Sequence, residues 1–101
     1  MPLDKKDDQF IKLGQSRKLK IMQFYGRNST GIYFGEVDEN LQAHGNGVVF
    51  FPKGDIRISY FQNGKVGEGN YVYLHSVGSF NVGDEFRDAN GYVVRRRTHY
   101  T

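Results

Sequence analysis

Apolar residues along this chain recur in short bursts, not at a helical period. From Gly31 onward, strand-like runs cover residues 32–37, 48–51, 56–61, 71–74, 80–86 and 92–97. Turn-forming clusters separate them: Asp38-Glu39-Asn40, Lys53-Gly54-Asp55, Gln62-Asn63-Gly64-Lys65, His75-Ser76-Val77-Gly78 and Asp88-Ala89-Asn90-Gly91. Apolar runs of this length, rich in Val, Ile, Tyr and Phe and bounded by Gly, Asn and Asp, predict strands joined by tight hairpins. Asn63-Gly64 and Asn90-Gly91 are the sharpest turn signals, because both residue types tolerate positive φ. The segment before Gly31 reads differently. Residues 1–23 are charged and poor in aromatics, and Leu19, Ile21 and Phe24 share no clean period. They predict an N-terminal arm (1–23), with one strand near residues 19–25, leading into a hairpin domain over residues 24–101.

The runs also repeat. Gly45-Asn46-Gly47-Val48-Val49-Phe50-Phe51 lies over Gly67-Glu68-Gly69-Asn70-Tyr71-Val72-Tyr73 at an offset of 22, with both Gly-x-Gly pairs and the aromatics Phe51 and Tyr73 in coincidence. A weaker third copy, Gly91-Tyr92-Val93-Val94, follows Asn70-Tyr71-Val72-Tyr73 at an offset of 21. One hairpin per period predicts a stack in which each unit covers its neighbour's apolar face.

Composition sharpens this picture. Thirteen glycines, eight Phe and seven Tyr in 101 residues favour short strands and turns over helices. A chain this short has a small core. There is no cysteine, so disulfides, thiolate zinc sites and cysteine nucleophiles drop out together, and a reducing compartment is the default. No apolar run approaches the roughly 20 residues of a membrane helix. The first residues, Met1-Pro2-Leu3-Asp4-Lys5-Lys6-Asp7-Asp8, mix charges and do not read as a secretory leader. The net charge of +3 is too small to name a partner.

The motif residues resemble MORN repeats (membrane occupation and recognition nexus). Tyr33-x-Gly35-Glu36, then His44-Gly45-x-Gly47, then Gly54-Asp55 matches one unit; Phe61-Gln62-Asn63-Gly64-Lys65 with Gly67-x-Gly69 is similar to a second; a degenerate third spans roughly residues 80–97. The chain departs from the pattern in three ways. The loop from Asp38 to Ala43 is about one residue longer than the pattern, the second unit has Arg57-Ile58-Ser59 in place of Tyr-x-Gly, and no His precedes Gly67. The resemblance implies an all-β fold: an elongated, twisted, single-layer antiparallel sheet of consecutive hairpins. Tyr33, Gly35, Glu36, His44, Gly45, Gly47, Gly54, Gly64, Gly67 and Gly69 would be its structural repeat residues. Gly suits so thin a ribbon because it has no Cβ to clash where backbones approach.

Little in the chain suggests catalysis. His44, His75 and His99 fall in different units, and no Ser or Asp stands at a motif spacing from them. The acids Glu36, Asp38, Glu39, Asp55, Glu68, Asp84, Glu85 and Asp88 sit mostly in or beside turns, where solvation explains them. Asp38-Glu39-Asn40 lacks the alternating oxygens and distal Glu of a calcium loop. Gly-x-Gly between strands, with no helix after it, is no phosphate cradle. The chain therefore reads as a non-enzyme with no cofactor and no metal.

Three binding readings remain. Protein binding comes first. Val49, Phe51, Tyr71 and Tyr73 fall on one strand face by alternation and repeat offset, opposite Val48, Phe50, Val72 and Val93, and predict a partner-binding patch. The family resemblance implies a scaffold or an accessory subunit among other proteins, of the kind found in cytoskeletal and ciliary assemblies such as radial spokes. It places the chain in the cytoplasm, cytoskeleton or cilium, with an organelle left open. An anionic membrane surface is the alternative, through Arg95, Arg96 and Arg97, of which at most two share a face of the last strand. Nucleic acid ranks below both, since no RNA-recognition signature accompanies Arg95-Arg96-Arg97 or Arg17-Lys18-x-Lys20.

Overall fold

The computed structural model describes residues 18–26 and 29–101. Seven strands follow one another: β1 (Lys18–Tyr25), β2 (Thr30–Val37), β3 (Ala43–Phe50), β4 (Ile56–Gln62), β5 (Lys65–Leu74), β6 (Phe80–Arg87) and β7 (Val93–Tyr100). They form one open sheet in sequence order, each strand antiparallel to the next. The described residues contain no helix. The expected all-β, single-layer succession of hairpins is what the chain builds. The predicted boundary at residue 23 falls inside β1, because Leu19, Ile21 and Gln23 pair with β2. The rest of the predicted arm, residues 1–17, lies outside the described residues.

Four of the hairpin turns share one design. In each, the first residue's N–H donates to the carbonyl of the fifth, and the fourth residue's N–H donates to the carbonyl of the first: Asp38/Gln42, Phe51/Asp55, His75/Ser79 and Asp88/Tyr92. The fourth residue has positive φ: Leu41 at 61°, Gly54 at 99°, Gly78 at 100° and Gly91 at 83°. This is the hairpin in which a type I turn ends on one left-handed residue. Asp38 and Asp88 add a side-chain cap, each accepting two backbone N–H bonds within its turn. Among the described turns, Asn63-Gly64 forms the two-residue turn, with φ of 52° and 81°. The Asn90-Gly91 signal belongs to the longer design, and its left-handed residue is Gly91 alone.

The Gly-x-Gly pairs are bulges, and their structural period differs from the sequence offset. Glu36 on β2 stands opposite His44-Gly45-Asn46, between the pairs Gly35–Gly47 and Val37–Ala43. Tyr60 on β4 stands opposite Gly67-Glu68-Gly69-Asn70, between Ser59–Tyr71 and Phe61–Val66. Across the sheet Gly47, Ser59 and Tyr71 share a row, so Gly47 is level with Tyr71 and Val49 with Tyr73, an offset of 24. Gly45 (φ 105°) then corresponds to Gly69 (φ 132°), and Phe51 corresponds to His75, not Tyr73. The weaker third copy moves too: Tyr71 pairs with Gly83, and Gly83 with Arg97, so Tyr92 is not its equivalent. The sequence offset fails because the second hairpin has a turn one residue shorter and a bulge one residue longer than the first.

The sheet covers one of its own faces. Phe24, Tyr33, Val37, Ala43, Val49 and Phe61 form the buried cluster. Phe24 on β1 and Phe61 on β4 meet edge-to-face at 5.6 Å, and Tyr33 meets Phe61 at 5.0 Å. On a flat sheet, strands three apart lie roughly 14 Å from each other. The sheet therefore curls around these rings, with the twist that antiparallel sheets carry. Gly47 makes this possible: a Cβ there would fall inside the Tyr33 ring, which lies over the glycine while its hydroxyl donates to the Glu36 carbonyl. Glu36 in turn accepts the N–H of Asn46 and holds the bulge at 2.7 Å. The Tyr-x-Gly-Glu and Gly-x-Gly residues thus form one interlocked device.

Candidate functional site

The face opposite the curl is open and apolar. Two complete cross-strand rows run over all seven strands. One is Ile21, Phe34, Val48, Ile58, Val72, Val82 and Thr98; the other is Gln23, Ile32, Phe50, Ile56, Leu74, Phe80 and Tyr100. None of these fourteen positions is charged. Seven of them, Ile21, Ile32, Phe34, Phe50, Ile58, Val82 and Tyr100, are between 41% and 68% exposed. Phe80 and Tyr100 stack at 4.8 Å on the last two strands. A third, polar row borders the patch at one end of the strands: Glu36, Asn46, Tyr60, Asn70, Asp84 and Arg96. A shallow cavity runs along the first row between Leu19 and Thr98. Alternation produces this arrangement, since each strand that sends Val49 or Tyr33 inward must send Val48, Phe50, Ile32 and Phe34 outward.

The predicted partner patch lies on the other side. Val49 and Tyr71 are buried within the curled face, and Phe51 and Tyr73 are half-buried beside them, their rings 6.1 Å apart. The four share a face as alternation predicts. Val49 and Tyr71 are therefore covered within the chain itself and do not offer a free surface. Of the residues assigned to the opposite face, Val48, Phe50 and Val72 stand in the open rows, and Val93 pairs with Arg87 at the far end of β7.

The β4–β7 part of the inner face carries a polar network that alternation had hidden. Arg57 stands between Val49 and Tyr73 in its row. Its guanidinium lies 4.8 Å from the centre of the Tyr71 ring, donates to Ser59 Oγ at 3.1 Å and pairs with Glu85. Arg95 approaches the same carboxylate at 3.4 Å from the solvent side. Asp55 accepts the Tyr73 hydroxyl at 2.7 Å and the Ser76 N–H at 2.9 Å, with Lys53 Nζ at 3.3 Å. These donors, the Tyr73 hydroxyl first, hold the Asp55 carboxyl down at about 2. Burial, with Asp55 adding to it, pushes Tyr73 up to about 12; burial, with Glu36 adding to it, does the same to Tyr33. Asn81 bridges His75 (3.2 Å) and His99. The signal available in the sequence was parity: Arg57 and Glu85 occupy inward positions of strands whose other inward residues are apolar or small.

The remaining sequence-predicted residues are dispersed. His44 packs against Tyr60 at 6.3 Å, away from the His75–His99 pair. Among the described residues, no three His, Asp or Glu side chains gather as a metal would require. No described helix is long and apolar enough to cross a membrane. Gly54 and Gly64 sit in turns, while Gly35 pairs with Gly47. Of the three arginines considered for lipid, Arg96 forks onto Asp84 (3.0 and 3.3 Å) and Arg95 leans on Glu85; Arg95 and Arg97 face one side of β7 and Arg96 the other. Comparison with protein-family models, with curated proteins and with solved structures returns no match.

Proposed function

We propose that this chain is a non-catalytic, MORN-like protein-binding module, a scaffold or accessory subunit of a larger assembly, and that it binds through its open sheet face. The observation that carries this reading is the pair of uncharged rows across seven strands, much of it exposed. A monomer's largest apolar patch is typically about 300–600 Å² and is often functional, and a broader one marks an interaction surface. The rim supports protein over lipid. Its basic residue Arg96 is already neutralised by Asp84, whereas an anionic bilayer needs several unpaired basic residues at about 1 kcal/mol each. A place in the cytoplasm, cytoskeleton or cilium rests on the family resemblance alone.

The test is affinity purification of the tagged chain from cells that naturally express it, run beside Phe34→Asp/Ile58→Asp. A reproducible set of proteins lost with the double variant is the expected result. Retention of the same set by the variant, or flotation of the wild type with anionic vesicles in place of protein capture, overturns the reading.

A further inference from the structure

We infer that the occupant of the open face is a second copy of this chain, packed sheet on sheet as a two-fold dimer; this rests on the protein-binding reading above. The area is the first argument. Half-exposed side chains of this size leave roughly 80–100 Å² each. The seven exposed apolar residues of the two rows therefore offer on the order of 600 Å², against roughly 800 Å² per side in a standard stable interface. The half-buried Val48, Ile56, Val72, Leu74 and Phe80 fill the remainder. Such a patch, with no charge at any of its fourteen positions, has the composition of a homodimer interface, where charged residues are depleted.

Shape and rim are the second argument. Sheets pack face to face with their strands within about 30° and about 10 Å apart. A two-fold axis along β4 places β3 over β5, β2 over β6 and β1 over β7. That choice lays apolar rows over apolar rows and the polar row over the polar row. It sets Glu36 of one copy over Asp84 of the other and Leu19 over Arg96, so the two carboxylates are shared by Arg96 from the neighbouring strand. A two-fold axis running across the strands would instead bring the polar row against Phe50, Ile56 and Leu74, at the cost of burying Glu36 and Asp84 on hydrocarbon. The arrangement gives each copy what the inner face already has, a cover for its apolar side chains.

Sedimentation of the purified full chain at micromolar concentration decides the matter. The expected mass is twice 11.6 kDa. Phe34→Asp/Ile58→Asp should remain folded by circular dichroism and raise the dissociation constant by roughly thirtyfold or more. Ile58 stands on the proposed axis and the chain has no cysteine. Ile58→Cys should therefore join two copies through a bismaleimide spanning about 10 Å, and Ala89→Cys, in the turn between β6 and β7 roughly 12 Å from the axis, should not; this arm decides if the double variant fails to fold. A monomer at every concentration overturns the inference. So does a dimer that survives the double variant and cross-links equally at both cysteines, as edge-to-edge pairing would. A monomeric chain that still loses its protein partners in the double variant defeats the second copy and leaves the protein-binding reading standing. A face-dependent dimer that captures no other protein supports the second copy and overturns the scaffold role.

Discussion

Between β1 and β4 the inner face is filled by Phe24, Tyr33, Val37, Ala43, Val49 and Phe61; across β4 to β7 the same rows carry Arg57, Tyr71, Tyr73, Asn81, Glu85 and His99. The first half is held by ring packing, which needs only shape and apolar area. The second is held by an ion pair, a tyrosine–aspartate hydrogen bond and a His–Asn–His bridge. Burial of a charged group is costly without a partner, and there each partner of the ion pair is indispensable to the other. The halves should therefore fail differently: the apolar half through lost volume, the polar half through orphaned groups and through pH.

The largest effect is expected in the apolar half. Phe61 is fully buried and touches rings from both β1 and β2. Phe61→Ala should cost about 3–5 kcal/mol in denaturant melts. A loss under about 1 kcal/mol would show that the ring cluster does not organise that half.

Next comes Glu85→Ala, which leaves the Arg57 guanidinium buried without its carboxylate. A loss of about 3 kcal/mol is expected, since orphaning one partner of a buried pair is costly. Replacing both, as Arg57→Met with Glu85→Leu, should recover most of it. If the double variant is as unstable as the single, the pair contributes more than mutual neutralisation.

A glycine in each half sharpens the contrast. Gly47→Ala should cost about 2 kcal/mol or more, because the added carbon meets the Tyr33 ring. At Gly69 the nearest atom to an added Cβ is 3.9 Å away, so Gly69→Ala carries only the strain of φ 132°, about 1 kcal/mol. Equal losses by thermal melting would erase the distinction between close approach and backbone strain.

The smallest effect is the pH response of the polar half. Asp55 titrates at about 2 when folded and near 3.8 when unfolded. Its contribution is fully present above the unfolded value and is lost as pH falls from about 4 toward 2. Asp55→Asn should flatten stability across that window and leave the slope above pH 5 unchanged. An identical acid slope in wild type and variant would remove Asp55 from the account.

Much of this architecture was legible in the chain, through particular residues. Period-two alternation in residues 32–37 and 48–51 located β2 and β3 and correctly separated Val49 from Val48 and Phe50. Gly54, Gly64, Gly78 and Gly91 marked the turns because left-handed φ excludes most other residues. The strand expected near residues 19–25 is β1, but its membership of the sheet was less legible, since Gln23 interrupts the Leu19–Ile21 alternation at an edge where only Phe24 is buried. Parity marks Arg57 and Glu85 as inward, but their pairing was not legible, because they are 28 residues apart and on strands that are not neighbours.

The sequence by itself determined that the protein is a run of short hairpins with two apolar sides, and which residues share a side. Alternation and turn chemistry are local, so they survive without knowledge of the fold. Only the tertiary structure decided which side is covered. That outcome depends on the direction in which the sheet curls, and the direction is set by contacts between strands far apart in sequence. Phe24 reaches Phe61, and Tyr33 settles over Gly47. Those contacts bury Val49, the Arg57 guanidinium lies over Tyr71, and Phe34, Phe50 and Ile58 face outward.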